Sequence, residues 1–111
     1  MARLNYVELP VASVAGEVDF YREALGWEFT AYGPDYAACE QDPCQLGLNG
    51  VEGERSASIL PVIEVGDLEA TLAAVTTAGG TITRAIFAFP GGRRFHFRDP
   101  AGLELAAYQV A

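Results

Sequence analysis

The sequence is poor in three things: basic residues, cysteine and long apolar runs. Seven Lys and Arg stand against fifteen Asp and Glu in 111 residues, for a formal net charge of −8. A nucleic-acid partner needs a positive field to meet its phosphates, so this balance argues against one. The two cysteines, Cys39 and Cys44, flank Asp42-Pro43 without C-x-x-C spacing or a four-ligand set. That argues against structural zinc. In a reducing cytosol the pair is expected as small packing residues rather than a disulfide. A catalytic thiol would need a base, and His96 is the only histidine. No apolar stretch of about 18 residues occurs, so no membrane-spanning helix and no membrane partner are expected. The chain enters a strand pattern by Tyr6 without the apolar core of a signal peptide. These absences together give the expectation of a cytoplasmic protein.

Among what is present, a repeated order of elements is the most informative. Asp42-Pro43 follows the strand-like Tyr36–Glu40, and Asp99-Pro100 follows Arg94–Arg98, at a period of 57 residues. Such self-similarity fixes architecture. In the first half, Leu4–Val11 alternates as a strand, and Ser13 can cap a helix to about Leu25 with Val14, Val18, Tyr21 and Leu25 on one stripe. Gly26 stops that helix. Trp27–Tyr32, Tyr36–Glu40 and Gln45–Asn49 read as three strands. The second half begins with the strand Ile59–Val65. Asp67 then caps a helix from Leu68 to about Ala78, with Leu68, Leu72 and Val75 inward and Gly79-Gly80 ending it. Thr81–Phe87, Arg94–Arg98 and Leu103–Gln109 complete the set, with a Pro90-Gly91-Gly92 turn. One domain over residues 1–111 is expected: module 1 at about 4–50, a polar linker at 51–58 and module 2 at 59–111.

Four stretches carry a resemblance to a known family: Asn5-Tyr6-Val7-Glu8-Leu9-Pro10-Val11, Phe20-Tyr21-Arg22-Glu23-Ala24-Leu25-Gly26-Trp27, Val62–Thr71, and Phe97-Arg98-Asp99-Pro100-Ala101-Gly102. In this order the chain resembles the vicinal oxygen chelate superfamily of glyoxalases, extradiol dioxygenases and bleomycin-resistance proteins. The resemblance implies an α+β fold in which two βαβββ modules form a cupped, mostly antiparallel sheet. Members of this group often dimerise, so a homodimer is expected, its cups closed within one chain or across two.

The superfamily usually holds a metal on four strands lining the cup. Carried onto this sequence, the four positions are Tyr6, Leu60, Ala106 and, by transfer through the two Asp-Pro turns, Asn49. Leucine and alanine offer no donor and asparagine is a poor one, so neither a metal nor any other cofactor is expected.

Strand parity then says what else shares that face. Glu8 lies beside Tyr6, Val62 and Glu64 beside Leu60, and Glu104 and Tyr108 beside Ala106. Arg94, His96 and Arg98 point the same way, with Phe95 and Phe97 toward the helices. The expected ligand-binding set is therefore Tyr6, Glu8, Asn49, Leu60, Val62, Arg94, His96, Glu104, Ala106 and Tyr108. A few polar groups in an apolar concavity suit a small molecule. Arg94 is the best candidate for holding an anion, and Arg84, Arg93, Arg94 and Arg98 are either an anion-facing cluster or solvated strand ends. Glu64, near a strand end, is expected in solvent. Glu8, if buried, needs a partner, and Arg94 or His96 is expected in that role.

Two functions follow. One is metal-independent binding of a hydrophobic or aromatic molecule, stacked on Tyr6, Tyr108 or Trp27, as the resemblance to the bleomycin-resistance-type branch implies. The other is a metal-independent lyase or isomerase acting on a small carbonyl compound, with Glu8 or His96 moving the proton.

Overall fold

The computed structural model describes residues 2–111. Its elements are β1 (Arg3–Pro10), α1 (Val14–Leu25), β2 (Thr30–Ala31), β3 (Tyr36–Cys39), β4 (Gln45–Asn49), β5 (Leu60–Glu64), α2 (Leu68–Thr77), β6 (Thr81–Phe89), β7 (Gly92–Arg98) and β8 (Glu104–Val110). The order strand, helix, three strands occurs twice, so the fold is α+β with two βαβββ modules. Two compact units coincide closely with them: Tyr6–Leu60, and Pro61–Ala111 together with the first residues up to Asn5. No helix among the described residues is long and apolar enough to cross a membrane.

The helices start and stop where local chemistry demands. Ser13, in extended conformation, accepts the N–H of Gly16 with its side chain, and Gly26 ends α1 with a left-handed φ of 71°. Asp67 does the same for Ala70 at the start of α2. Such caps satisfy N–H groups that the helix itself leaves over, and each contributes about 1 kcal/mol. The second helix ends at Ala78, and the chain then leaves through Gly79 at a φ of 102°.

In module 1 the strand order is β2-β3-β4-β1, with β1 parallel to β4 and the other pairs antiparallel. One face of this half-sheet packs under α1, where Val11, Val14, Ala37 and Leu48 are buried with Leu9, Val18, Tyr21 and Leu46 against them. The expected helical stripe loses its last member, since Leu25 is 55% exposed. It stops instead at Tyr21, whose ring stacks on Trp27 and meets Phe29. The expected strand over Trp27–Tyr32 shrinks to Thr30–Ala31 for a related reason. With Trp27 against Tyr21 and Phe29 packed on the same core, the segment is committed to the helix before it pairs. The linker is tied to this module: Gly50 N–H donates to Asp35 O, and Arg55 Nη1 donates to Val11 O at 2.6 Å.

In module 2 the order is β5-β8-β7-β6, again with a parallel pair, β5 and β8, and antiparallel neighbours beyond it. Val65, Leu68, Phe95 and Ala107 are its buried core, joined by Ile63, Leu72, Val75 and Phe97. Phe95 and Phe97 thus face α2, as alternation requires. Of the cysteines, Cys39 is buried but Cys44 is exposed, so only the first is a packing residue.

Candidate functional site

Each half-sheet has a second face, turned away from its helix, and the ladders say which residues share it. In module 1, Glu8 stands opposite Gly47, Gly47 opposite Ala38, and Asn49 opposite Tyr36. Glu8 is 2% exposed. A buried carboxylate must be hydrogen-bonded, and this one is held from both sides. Tyr36 donates its hydroxyl to Oε1 at 2.8 Å, and Asn49 Nδ2 donates to Oε2 at 3.2 Å. The Asn49 amide is oriented by the backbone, because its Oδ1 accepts the Val51 N–H at 2.9 Å. The Tyr36 hydroxyl is also in hydrogen-bond contact with that of Tyr6. Burial pushes the Tyr36 phenol far above its ordinary range, and the Glu8 charge and Tyr6 push it the same way.

Gly47 makes this cluster possible. A Cβ at that position would collide with the hydroxyl oxygens of both Tyr6 and Tyr36. Its backbone is ordinary strand, so the requirement is for space and not for an unusual φ.

In module 2 the rows run Val62–Ala106–His96–Arg84 and Glu64–Tyr108–Arg94–Phe87. His96 is 3% exposed, with Nδ1 3.6 Å from Glu104 Oε2, and Thr83 donates to the same oxygen at 3.0 Å. Phe87 is the aromatic centre of this face. The Arg84 guanidinium lies 3.6 Å above its ring, the Arg94 guanidinium 5.3 Å away, and the His96 ring 5.7 Å away. Glu64 is not simply solvated: Arg3 and Asn5 hold the same carboxylate oxygen at 2.9 and 2.8 Å. Those bonds, Asn5's foremost, draw its pKa down. Tyr108 donates to Asn5 Oδ1, and burial raises its phenol, with the Glu64 charge adding.

The structure therefore gathers Tyr6, Glu8 and Asn49 on one face and Val62, Arg94, His96, Glu104, Ala106 and Tyr108 on another, each within its own module. Leu60, at the start of β5, is fully buried. Trp27 leaves the set of stacking candidates, because it packs on Tyr21 beneath α1. Within its own module Glu8 is held by Tyr36 and Asn49. Tyr36 is the residue that sequence reasoning missed. A signal for it existed: a hairpin centred on Asp42-Pro43 that ends at Asn49 brings Tyr36 opposite.

The ladders also correct the fourth metal position. The N–H of Val11 closes module 1 on Asn49 O at 3.0 Å, and the N–H of Val65 closes module 2 on Tyr108 O at 2.8 Å. Asn49 is thus the counterpart of Tyr108, and the counterpart of Ala106 is Gly47. The offset through the turns misleads because the turns differ in length. Asp42 stands three residues before β4, whereas Asp99 stands five before β8. Asp99 closes that longer turn by accepting the N–H groups of Ala101 and Leu103.

The four corrected positions are Tyr6, Gly47, Leu60 and Ala106, with one phenol and no other side-chain donor. These residues do not fit a divalent metal. Among the described residues, no group of three or more His, Cys, Asp or Glu is arranged to hold one.

Comparison with known proteins gives the class. The family model described as Glyoxalase/Bleomycin resistance protein/Dioxygenase superfamily matches residues 3–106. The chain belongs to that superfamily. No sequence among curated proteins matches it. Solved structures do. A glyoxalase/bleomycin resistance protein/dioxygenase superfamily member from Vibrio splendidus 12B01 is 20% identical, with a TM-score of 0.74 over 98% of this chain and 99% of the other. Methylmalonyl-CoA epimerase from Mycobacterium tuberculosis is 17% identical, with a TM-score of 0.78 over 97% and 87%. The Mn(II)-bound glyoxalase from Novosphingobium aromaticivorans is 20% identical, with a TM-score of 0.67 over 99% of this chain and 39% of that one. At these identities the likeness shows the fold alone.

Proposed function

We propose that the protein binds a small hydrophobic or aromatic molecule at the strand faces turned away from its helices without a metal, in the manner of the bleomycin-resistance-type branch. The observation that carries this reading is the make-up of the four positions at which relatives would hold a metal. One of them is a glycine whose space two phenol hydroxyls fill. Polar anchoring then falls to side chains: Tyr6, Glu8 and Asn49 in module 1, and Arg94, His96 and Glu104 in module 2. Apolar surface comes from Phe87, Phe89 and Tyr108, the last two meeting edge to face.

The competing reading, a metal-independent isomerase or lyase, is favoured by one observation. The buried His96 sits beside a carboxylate that Thr83 fixes, an arrangement that orients an imidazole for proton transfer. Glu8 is the weaker base, since both its oxygens already accept hydrogen bonds.

The test is calorimetric binding of a panel of aromatic compounds, bleomycin among them, to protein freed of metal by chelator. The same panel is repeated after addition of Mn²⁺, Zn²⁺, Ni²⁺ or Fe²⁺. Unchanged affinity and less than one bound metal per chain are expected. Stoichiometric metal, or binding that appears only with it, would sink the proposal. A Glu8→Gln variant that kept its affinity but lost a measured turnover would favour the enzyme.

A further inference from the structure

We propose that Tyr36, acting through Tyr6, makes module 1 select a ligand group that donates a hydrogen bond: a hydroxyl, an amide N–H or an ammonium. This inference rests on the reading of the protein as a small-molecule binder. It deepens that reading by naming the chemistry of one end of the ligand.

The argument is a count of protons. A carboxylate only accepts, and a phenol has a single proton to give. Asn49, whose amide is locked by the Val51 N–H, donates to Glu8 Oε2. Glu8 Oε1 takes the proton of Tyr36. Tyr36 then has nothing left to donate, so in its contact with Tyr6 it is the acceptor and Tyr6 is the donor. The proton of Tyr6 is thereby committed inward, and any further hydrogen bond at its oxygen is one that it accepts. Burial and the Glu8 charge keep Tyr36 protonated, which preserves the direction of the chain. Gly47 completes the device, because any side chain there would part the two hydroxyls.

Position Tyr6 is where metal-bearing relatives would place a ligand to a cation, and a cation attracts lone pairs. A Tyr6 oxygen that can only accept has the reverse preference. The departure at Gly47 therefore changes which groups the face recognises.

The experiment compares 2-naphthol, which donates, with 2-methoxynaphthalene, which cannot, by titration calorimetry on the full chain. The donor is expected to bind about tenfold more tightly, the scale of one hydrogen bond. In Tyr36→Phe the Tyr6 proton is released to face the ligand, and the preference is expected to fall below about threefold. Equal affinities in the wild-type protein, or tighter binding of the ether, would overturn the inference and leave the binding function standing. A preference that survives in a folded Tyr36→Phe would overturn it too, because the donor would be read elsewhere. If that variant fails to fold, the wild-type pair decides alone. Should neither probe bind with a Kd below about 1 mM, the inference and the binding function fall together.

Discussion

The two modules share one order of elements and use the strand faces turned away from their helices differently. At matching places in the ladders, module 1 has Glu8, Gly47 and Ala38 in a row, where module 2 has Val62, Ala106 and His96. The next row holds Asn49 and Tyr36 in one module, and Tyr108 and Arg94 in the other. Module 1 buries a carboxylate on β1, and the Tyr36 hydroxyl and the Asn49 amide donate to it. Module 2 has Val62 at the place of Glu8 and carries its imidazole and guanidinium groups on β7, two strands from β5. A duplicated scaffold thus yields two unlike surfaces while each module keeps an apolar core under its helix. The modules have the same fold because their helix-facing residues are apolar in both, and they differ in chemistry because the alternate residues are free to diverge.

If the carboxylate organises module 1, removing it should have the largest effect of any single change there. Glu8→Ala leaves the Tyr36 hydroxyl and the Asn49 amide buried without their acceptor. A loss of about 3 kcal/mol in urea unfolding is expected. His96→Gln, the corresponding change to module 2's buried polar group, should cost clearly less, because Glu104 keeps Thr83. Equal losses would mean that both polar groups are merely structural, and the contrast between the faces would collapse.

Much of this was legible in the sequence. Ser13 and Asp67 cap their helices as their side chains dictate, and the alternation of Arg94, Phe95, His96 and Phe97 puts the rings under α2. The candidate site was legible only in part. Parity put Glu8 beside Tyr6, but it says nothing about which strand lies alongside, and so Tyr36 was invisible until β3 and β4 were paired. Turn length was the other hidden quantity. Two Asp-Pro turns that look alike differ by two residues in the distance to the next strand, and that moves a counterpart from Asn49 to Gly47. Trp27 misled for a third reason: a large ring can be claimed by a helix as readily as by a ligand, and Tyr21 claims this one.

The Gly47 and Ala106 pair sharpens the comparison by reciprocal substitution. Gly47→Ala drives a methyl group into two hydroxyls, Tyr36's bonded to Glu8 and Tyr6's to Tyr36, and should cost about 2 kcal/mol, as overpacking does. Ala106→Gly removes one buried methyl and loosens a strand, at about 1 kcal/mol. Thermal or urea unfolding of the two variants reads the order directly. A Gly47→Ala protein as stable as wild type would show that the hydroxyls can move apart, and the requirement for glycine would vanish.

The smallest expected effect isolates the phenol at the centre of module 1. The Tyr36 pKa is raised above its ordinary value of 10.0, first by burial and then by the Glu8 charge. The folded protein therefore holds the Tyr36 proton at a pH where the unfolded chain releases it. Stability from this source is complete below pH 10 and declines as the pH climbs toward the folded pKa, since unfolding then releases a proton. Between pH 10 and pH 11 the wild-type protein should lose about 1 kcal/mol more than Tyr36→Phe, which has no proton to release. Tyr108→Phe serves as the control from module 2. Its phenol is raised as well, by burial and then by the Glu64 charge, and it donates to Asn5, so its removal should leave the Tyr36 contribution in place. Identical alkaline slopes for wild type and Tyr36→Phe would mean that the Tyr36 phenol is not held by the fold, and the hydrogen-bonded chain from Glu8 to Tyr6 would lose its direction.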